Sequence, residues 1–258
     1  VSWTGSLWLA GGLGGNTLAT STDGITWTSR GSSVFSTTVQ GIYGYKSTTD
    51  VTAVTTLSEY LVVGGGTNSL GLTTDGTTFS GLNRLNTFTT QGNGINYDPV
   101  SGKWVAVGQG GNTIATSSDG ATWTGRGATT FTSAGNDVIY DGTKWLAVGS
   151  GGNTLATSTD SGATWSGQNF SYLFSGNSIN YALPLNPTTT TTTYDASLNP
   201  STVTVATPLY VMAGVPKPLY VAVGEGGNTI ATSTDNGITW TGRGATVFTS
   251  NGRGVAYG

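Results

Sequence analysis

The chain contains no cysteine and no histidine. Disulfides, thiol nucleophiles, the usual zinc sites and histidine acid–base chemistry are therefore excluded together. Charge is scarce as well: 8% of residues are Asp, Glu, Lys or Arg, and the net charge is −3. Nine Lys and Arg spread along the sequence form no basic stripe, so a nucleic-acid surface built on phosphate neutralisation is not expected. No apolar run approaches the ~20 residues that cross a bilayer as a helix, and no membrane insertion is expected. The Ala, Glu, Lys and Leu of long helices give way to Gly, Thr and Ser, which excludes a coiled coil. The sequence opens at Val1 with neither an initiating Met nor a signal peptide, as expected of a processed product or an excised piece.

What is present is a repeat, and the repeat decides the architecture. The stretch from Trp104 to Arg126 recurs 41 residues later from Trp145 to Gln168, with further copies at Trp8 to Arg30, Leu61 to Arg84 and Tyr220 to Arg243. Each unit holds four short alternating or β-branched segments separated by turn residues. In the third unit these are expected at 92–98, 104–108, 112–118 and 122–126. Four antiparallel strands every 40 to 45 residues predict an all-β fold, a five-bladed β-propeller occupying 1–258 as one domain. Residues 252–257 carry the first-strand pattern of 92–97, whereas 6–11 carry that of a second strand. The C-terminal strand is thus expected to join the N-terminal blade, innermost beside Trp8, and so close the ring.

Two spacings are longer than the repeat and predict insertions at 45–58 and at 183–217, the latter within the fifth blade. The longer contains six consecutive threonines, Thr188 to Thr193, and an Asn199-Pro200 turn between β-branched runs. A projecting hairpin is favoured over a flexible stalk there.

The segment Ser233-Thr-Asp235-Asn-Gly237-Ile-Thr-Trp240 has counterparts in every unit, centred on Asp23, Asp75, Asp119 and Asp160 and ending in Trp27, Phe79, Trp123 and Trp165. It resembles the Asp box of the bacterial neuraminidase repeat, the sialidase-like β-propeller family. The resemblance implies a fold element: the Asp accepts hydrogen bonds from its own turn, Gly supplies a positive φ, and Trp wedges between blades. A sialidase site would further require an arginine cluster, a tyrosine nucleophile with its glutamate, and an acid/base carboxylate. Only Glu59 and Glu225 are available as glutamates, and Arg30, Arg126 and Arg243 recur in register, with Arg84 close by. Repetition argues against a single catalytic centre, and the chain is expected not to be an enzyme.

Alternating strand direction sets the Gly-Gly-Asn turns, the Arg ending the fourth strand and the polar residue opening the first strand on one face of the disc. The Asp boxes and both insertions fall on the other. Recurring polar groups on the first face are the candidate binding residues: Arg30, Arg84, Arg126 and Arg243; Asn112, Asn153 and Asn228 in the turns; and Asn93, Asn136 and Asn177 opening the first strands, where Gln40 and Arg253 are the counterparts. The expected role is a binding or adhesion propeller, similar to five-bladed invertebrate lectins in blade number and repetition, with repeated shallow sites for a glycan or a surface protein. A structural module of a particle, fibre or cell envelope is the alternative, and a sialidase-like hydrolase the third reading. No cofactor or metal is expected, and the setting is extracellular, at a cell surface or a particle surface.

Overall fold

The computed structural model describes residues 1–3, 7–46, 58–82, 87–168, 175–182, 188–194, 200–206, 219–235 and 237–255. Over these the chain is all-β, without a helix, and is built of curled antiparallel sheets. Each repeat forms a four-stranded meander. The first comprises β1 (Ser2–Trp3), β2 (Trp8–Gly11), β3 (Leu18–Ser21) and β4 (Thr28–Ser29); the second β5 (Thr38–Lys46), β6 (Ser58–Gly65), β7 (Leu70–Thr73) and β8 (Ser80–Leu82). The third comprises β9 (Phe88–Asp98), β10 (Lys103–Gly111), β11 (Ile114–Ser117) and β12 (Thr124–Gly125), and the fourth β13 (Phe131–Tyr140), β14 (Trp145–Gly152), β15 (Leu155–Ser158) and β16 (Ser166–Gln168). In the fifth, β17 (Ser175–Ala182) is followed by β18 (Thr188–Tyr194) and β19 (Pro200–Ala206) before β20 (Leu219–Glu225), β21 (Ile230–Ser233) and β22 (Thr241–Gly242) complete the unit.

The inner strands are longer than the sequence pattern indicates and the outer ones shorter. β9 starts four residues before Gly92 because the crossover segment pairs with β10 as far as Phe88↔Gly111. β12 keeps only Thr124 and Gly125 because Trp123 is drawn into the box turn before it. The ladder of β9 and β10 carries a bulge between Val107 and Gly108, repeated in the fourth unit and between β17 and β20, and such bulges bend the inner strands sharply.

Adjacent units are stitched by the same few contacts. The crossover phenylalanines Phe35, Phe88 and Phe131 are fully buried. Each sits over a glycine of the following second strand, so that a Cβ on Gly108 would meet Phe88 at 2.7 Å and one on Gly149 would meet Phe131 at 2.7 Å. Thr17 and Thr113 donate their hydroxyls to the carbonyls of Phe35 and Phe131 at 2.7 and 2.9 Å. Two of the box tryptophans pack on the preceding unit: Trp123 joins a core with Leu61, Leu70 and Tyr97, and Trp240 joins one with Ile139 and Leu146.

At the chain ends the structure differs from the expected closure. The first-strand place beside β2 is taken by Ser2 and Trp3, in register with Leu9 and Trp8, and the Trp3 and Trp8 rings lie 5.0 Å apart. Residues 251–255 instead lie along the fifth unit, where Asn251 bridges Glu225 and the Gly252 N–H donates to the Gly224 carbonyl at 2.8 Å. Residues 256–258 lie outside the described residues. In the shorter insertion, Tyr45 and Lys46 still pair with Glu59 and Ser58, and 47–57 lie outside the description. In the longer one, β18 and β19 pair antiparallel from Thr188↔Ala206 to Tyr194↔Pro200.

Candidate functional site

The turns centred on the repeated aspartates are closed by their own backbone. The Asp23 carboxylate accepts from the N–H groups of Ile25 and Thr26 at 2.8 and 2.7 Å and from the Ser21 hydroxyl at 2.9 Å. Asp75 and Asp119 repeat this network. In the one-residue-longer boxes, Asp160 and Asp235 take the N–H and hydroxyl of Thr164 and Thr239. The serine or threonine before each box also accepts the N–H of the glycine, which sits at φ +69° in Gly120. Trp27, Trp123, Trp165 and Trp240 donate their indole N–H to that glycine's carbonyl at 2.8 to 3.2 Å. These donors stabilise the charged carboxylate. The Thr26 and Ile25 N–H groups hold Asp23 at about 2, and the Thr164 and Thr239 donors do the same for Asp160 and Asp235. In each motif the carboxylate is engaged in shaping its own turn.

The recurring arginines are also committed locally. Arg30, Arg126 and Arg243 donate through Nε to Thr20, Thr116 and Thr232 of the third strand in their own unit, at 2.9, 3.0 and 2.9 Å. Arg84 lies outside the described residues. Asn112 donates to the Thr87 carbonyl at 2.9 Å and accepts the Gly127 N–H at 2.8 Å. Asn153 donates to the Thr130 carbonyl, and Asn228 accepts the Gly244 N–H. Both sets clamp the crossover onto its unit.

The polar residues that open the first strands are arranged differently. Asn93 donates to the Gly135 carbonyl, Asn136 to Gly176 and Asn177 to Gly252, at 2.8, 2.8 and 2.9 Å, so the first two reach the first strand of the next unit and the third reaches the C-terminal segment. Together with Gln40 and Arg253 they surround one cavity of about 640 Å³. Gln91, Gln109 and Asn251 add further amides, and the bent, bulged strands bring all of them to one rim.

Two carboxylates line the same cavity, Asp137 and Glu225. Asp137 stands where the other first strands have Gly41, Gly94, Ser178 and Gly254. Its carboxylate accepts the Ser178 hydroxyl at 2.8 Å, the Ile179 N–H at 3.1 Å and the Val138 N–H at 2.9 Å. Burial among protein atoms raises its proton affinity, and these three donors oppose the rise. Sequence reasoning did not single out Asp137, Gln91, Gln109 or Asn251. The signal for Asp137 was its break in the glycine column; Gln91 and Gln109 carry none, because they become neighbours only when the strands converge. Among the described residues no group of His, Cys, Asp or Glu is arranged to hold a metal ion.

No family model matches this chain, and no curated protein matches it. Solved structures of similar shape include a GH74 enzyme of Niastella koreensis, at 14% identity and a TM-score of 0.39, covering 93% of this chain and 36% of that one. A GH74 xyloglucanase from Xanthomonas campestris is similar at 13% identity and a TM-score of 0.37, with 90% and 37% covered. The chain thus spans little more than a third of the length of either. Both are enzymes, and the expectation that this chain is not an enzyme is corrected by that finding. The likeness is one of overall shape, and no residue role is carried over from it.

Proposed function

We propose that this chain is a five-bladed β-propeller whose central cavity recognises carbohydrate, as part of a protein working at an extracellular or particle surface. The observation that carries the reading is the convergence of Gln40, Asn93, Asn136 and Asn177, one polar group from each of four successive first strands, and of Arg253 from the C-terminal segment on one cavity of about 640 Å³. Primary amides both donate and accept, and their geometry matches the alternating hydroxyls of a sugar without requiring charge. Cavities of this size with a few convergent polar groups are the usual form of a small-ligand site. The turn asparagines and the arginines held by threonines are less suited, because none of them lines the cavity. A single central site therefore replaces the repeated peripheral sites as the preferred reading. Placement of residues 251–255 against the fifth unit, with Arg253 facing the same cavity as Gln40, supports a ring of five blades.

A glycan array followed by calorimetry on the strongest hits tests the proposal. Gln40→Ala and Gln109→Ala, neither of which removes a fold-clamping bond, are expected to weaken binding several-fold while leaving the thermal midpoint unchanged. Following the same titrations for newly released reducing ends distinguishes binding from turnover. Binding that is unaffected by both substitutions would sink the assignment to the cavity.

A further inference from the structure

Four of the five equivalent positions around the cavity carry amides, Gln40, Asn93, Asn136 and Asn177, and the fifth carries a guanidinium, Arg253. Arg253 is exposed to the cavity, and its Nε donates to Asn251 Oδ1 at 3.3 Å. Among the described residues it makes no ion pair, whereas Lys144 has Asp141 at 3.7 Å. The other described arginines, Arg30, Arg126 and Arg243, do not line the cavity. A guanidinium has five donors and no acceptor, so one bond to an amide oxygen leaves most of its fork unused. Such a fork matches the two oxygens of a planar anion better than it matches isolated hydroxyls.

We propose that the cavity takes an anionic glycan, with Arg253 holding the acidic group of one sugar while the amides opposite hold hydroxyls. This rests on the carbohydrate reading above and names the ligand class within it. Carboxylated and sulfated sugars share the chemistry that Arg253 recognises. Two groups in the cavity bear on the charge. Asp137 is held by the Ser178, Ile179 and Val138 donors and makes no ion pair with Arg253. Glu225 is exposed and repels an incoming anion, which limits affinity and keeps the site from becoming an indiscriminate anion trap.

The test measures affinity by calorimetry for three oligosaccharides of equal length: a neutral galactan, a galacturonan and a sulfated galactan. The wild type is expected to bind at least one acidic oligomer about ten-fold or more tightly than the neutral one, with a preference that fades as salt is raised. Arg253→Gln, which completes the amide ring, is expected to abolish that preference, with a loss of about ten- to a hundred-fold for the acidic ligand and little change for the neutral one. Glu225→Gln should widen the preference. Tighter binding of the carboxylated or of the sulfated oligomer identifies the source of the anion, and either supports the proposal. Equal affinity for neutral and acidic ligands, or a preference that survives Arg253→Gln with an unchanged thermal midpoint, overturns it while leaving the carbohydrate reading in place. Binding of none of the three overturns both.

Discussion

Val39 fills the space that Gly11 leaves open, in a pairing whose two sizes are reversed everywhere else in the molecule. Gly11 pairs with Leu18 as Val63, Val107, Val148 and Val223 pair with Leu70, Ile114, Leu155 and Ile230. Across from those valines stand Gly92, Gly135, Gly176 and Gly252, where a Cβ would meet the valine Cβ at 2.7 or 2.8 Å. At the junction of the first and second units the glycine is on the other side, and a Cβ on Gly11 would meet the Val39 Cβ at 2.8 Å. The backbone contact survives the reversal: the Val39 N–H donates to the Gly12 carbonyl at 2.8 Å, as Gly252 does to Gly224 at 2.8 Å.

This reversal makes a double-mutant cycle. Gly11→Val alone overfills the junction and is expected to cost about 1–3 kcal/mol. Val39→Gly alone empties it and loosens a strand, at about 2–4 kcal/mol. The pair together recreates the arrangement of the other junctions and should recover more than half of the combined loss, a coupling that urea unfolding can measure. Strictly additive losses would mean that the two side chains do not share one space.

The repeat, the four strands per unit and the box turns were legible because each depends on local chemistry: Asp119 reaches only to Ser117, Ala121 and Thr122, and Gly120 only to its own turn. The cavity was partly legible. The column Gln40, Asn93, Asn136, Asn177 and Arg253 stood out as polar where the strand pattern is apolar, and these residues do line it. The same reasoning grouped Arg126 and Asn112 with them, since facing direction alone does not tell a rim residue from one bonded inward to Thr116 or Thr87. The place beside β2 was not legible either. Ser2-Trp3 and Ala256-Tyr257 carry the same alternation, and only the Trp3–Trp8 contact shows that the first pair is seated there.

Acid should loosen the box turns over a defined window. Asp23, Asp160 and Asp235 have folded values of about 2 against an ordinary 3.8, so their charged forms are favoured by the fold. A depressed value stabilises the folded state above the unfolded pKa, and that contribution is lost as pH falls through the folded one. The thermal midpoint is therefore expected to hold flat above about pH 5 and to decline between about pH 4 and pH 2. Asp23→Asn should lower the plateau and make the decline shallower. Asp137 works in the opposite direction, because burial raises its pKa and protonation relieves a cost, so Asp137→Asn should not flatten the decline.

Replacing Arg30, Arg126 and Arg243 together by Lys separates the cavity from the periphery. Each arginine is tied through Nε to a threonine, a bond that an ammonium on a flexible stem reproduces poorly. Stability is expected to fall by up to about 1 kcal/mol for each site. Glycan affinity should not change, since none of the three lines the cavity. A selective loss of binding with the fold intact would return the site to the outer face.

The box tryptophans offer the sharpest contrast in packing, because one residue type in one local turn meets different surroundings. Trp123 is 8% exposed and lies in the core shared by the second and third units, whereas Trp27 is 41% exposed. Both donate to the carbonyl of their own box glycine, so the local bond is common to the two and cancels in the comparison. Trp123→Ala removes a large buried ring from between two units and is expected to cost about 3–5 kcal/mol. Trp27→Ala removes a ring that is half in water and should cost about 1–2 kcal/mol, in line with the smaller apolar area it covers. Urea unfolding of the two variants beside the wild type measures both. If Trp27→Ala proved as costly as Trp123→Ala, the first unit would have to be covered in solution by a further surface.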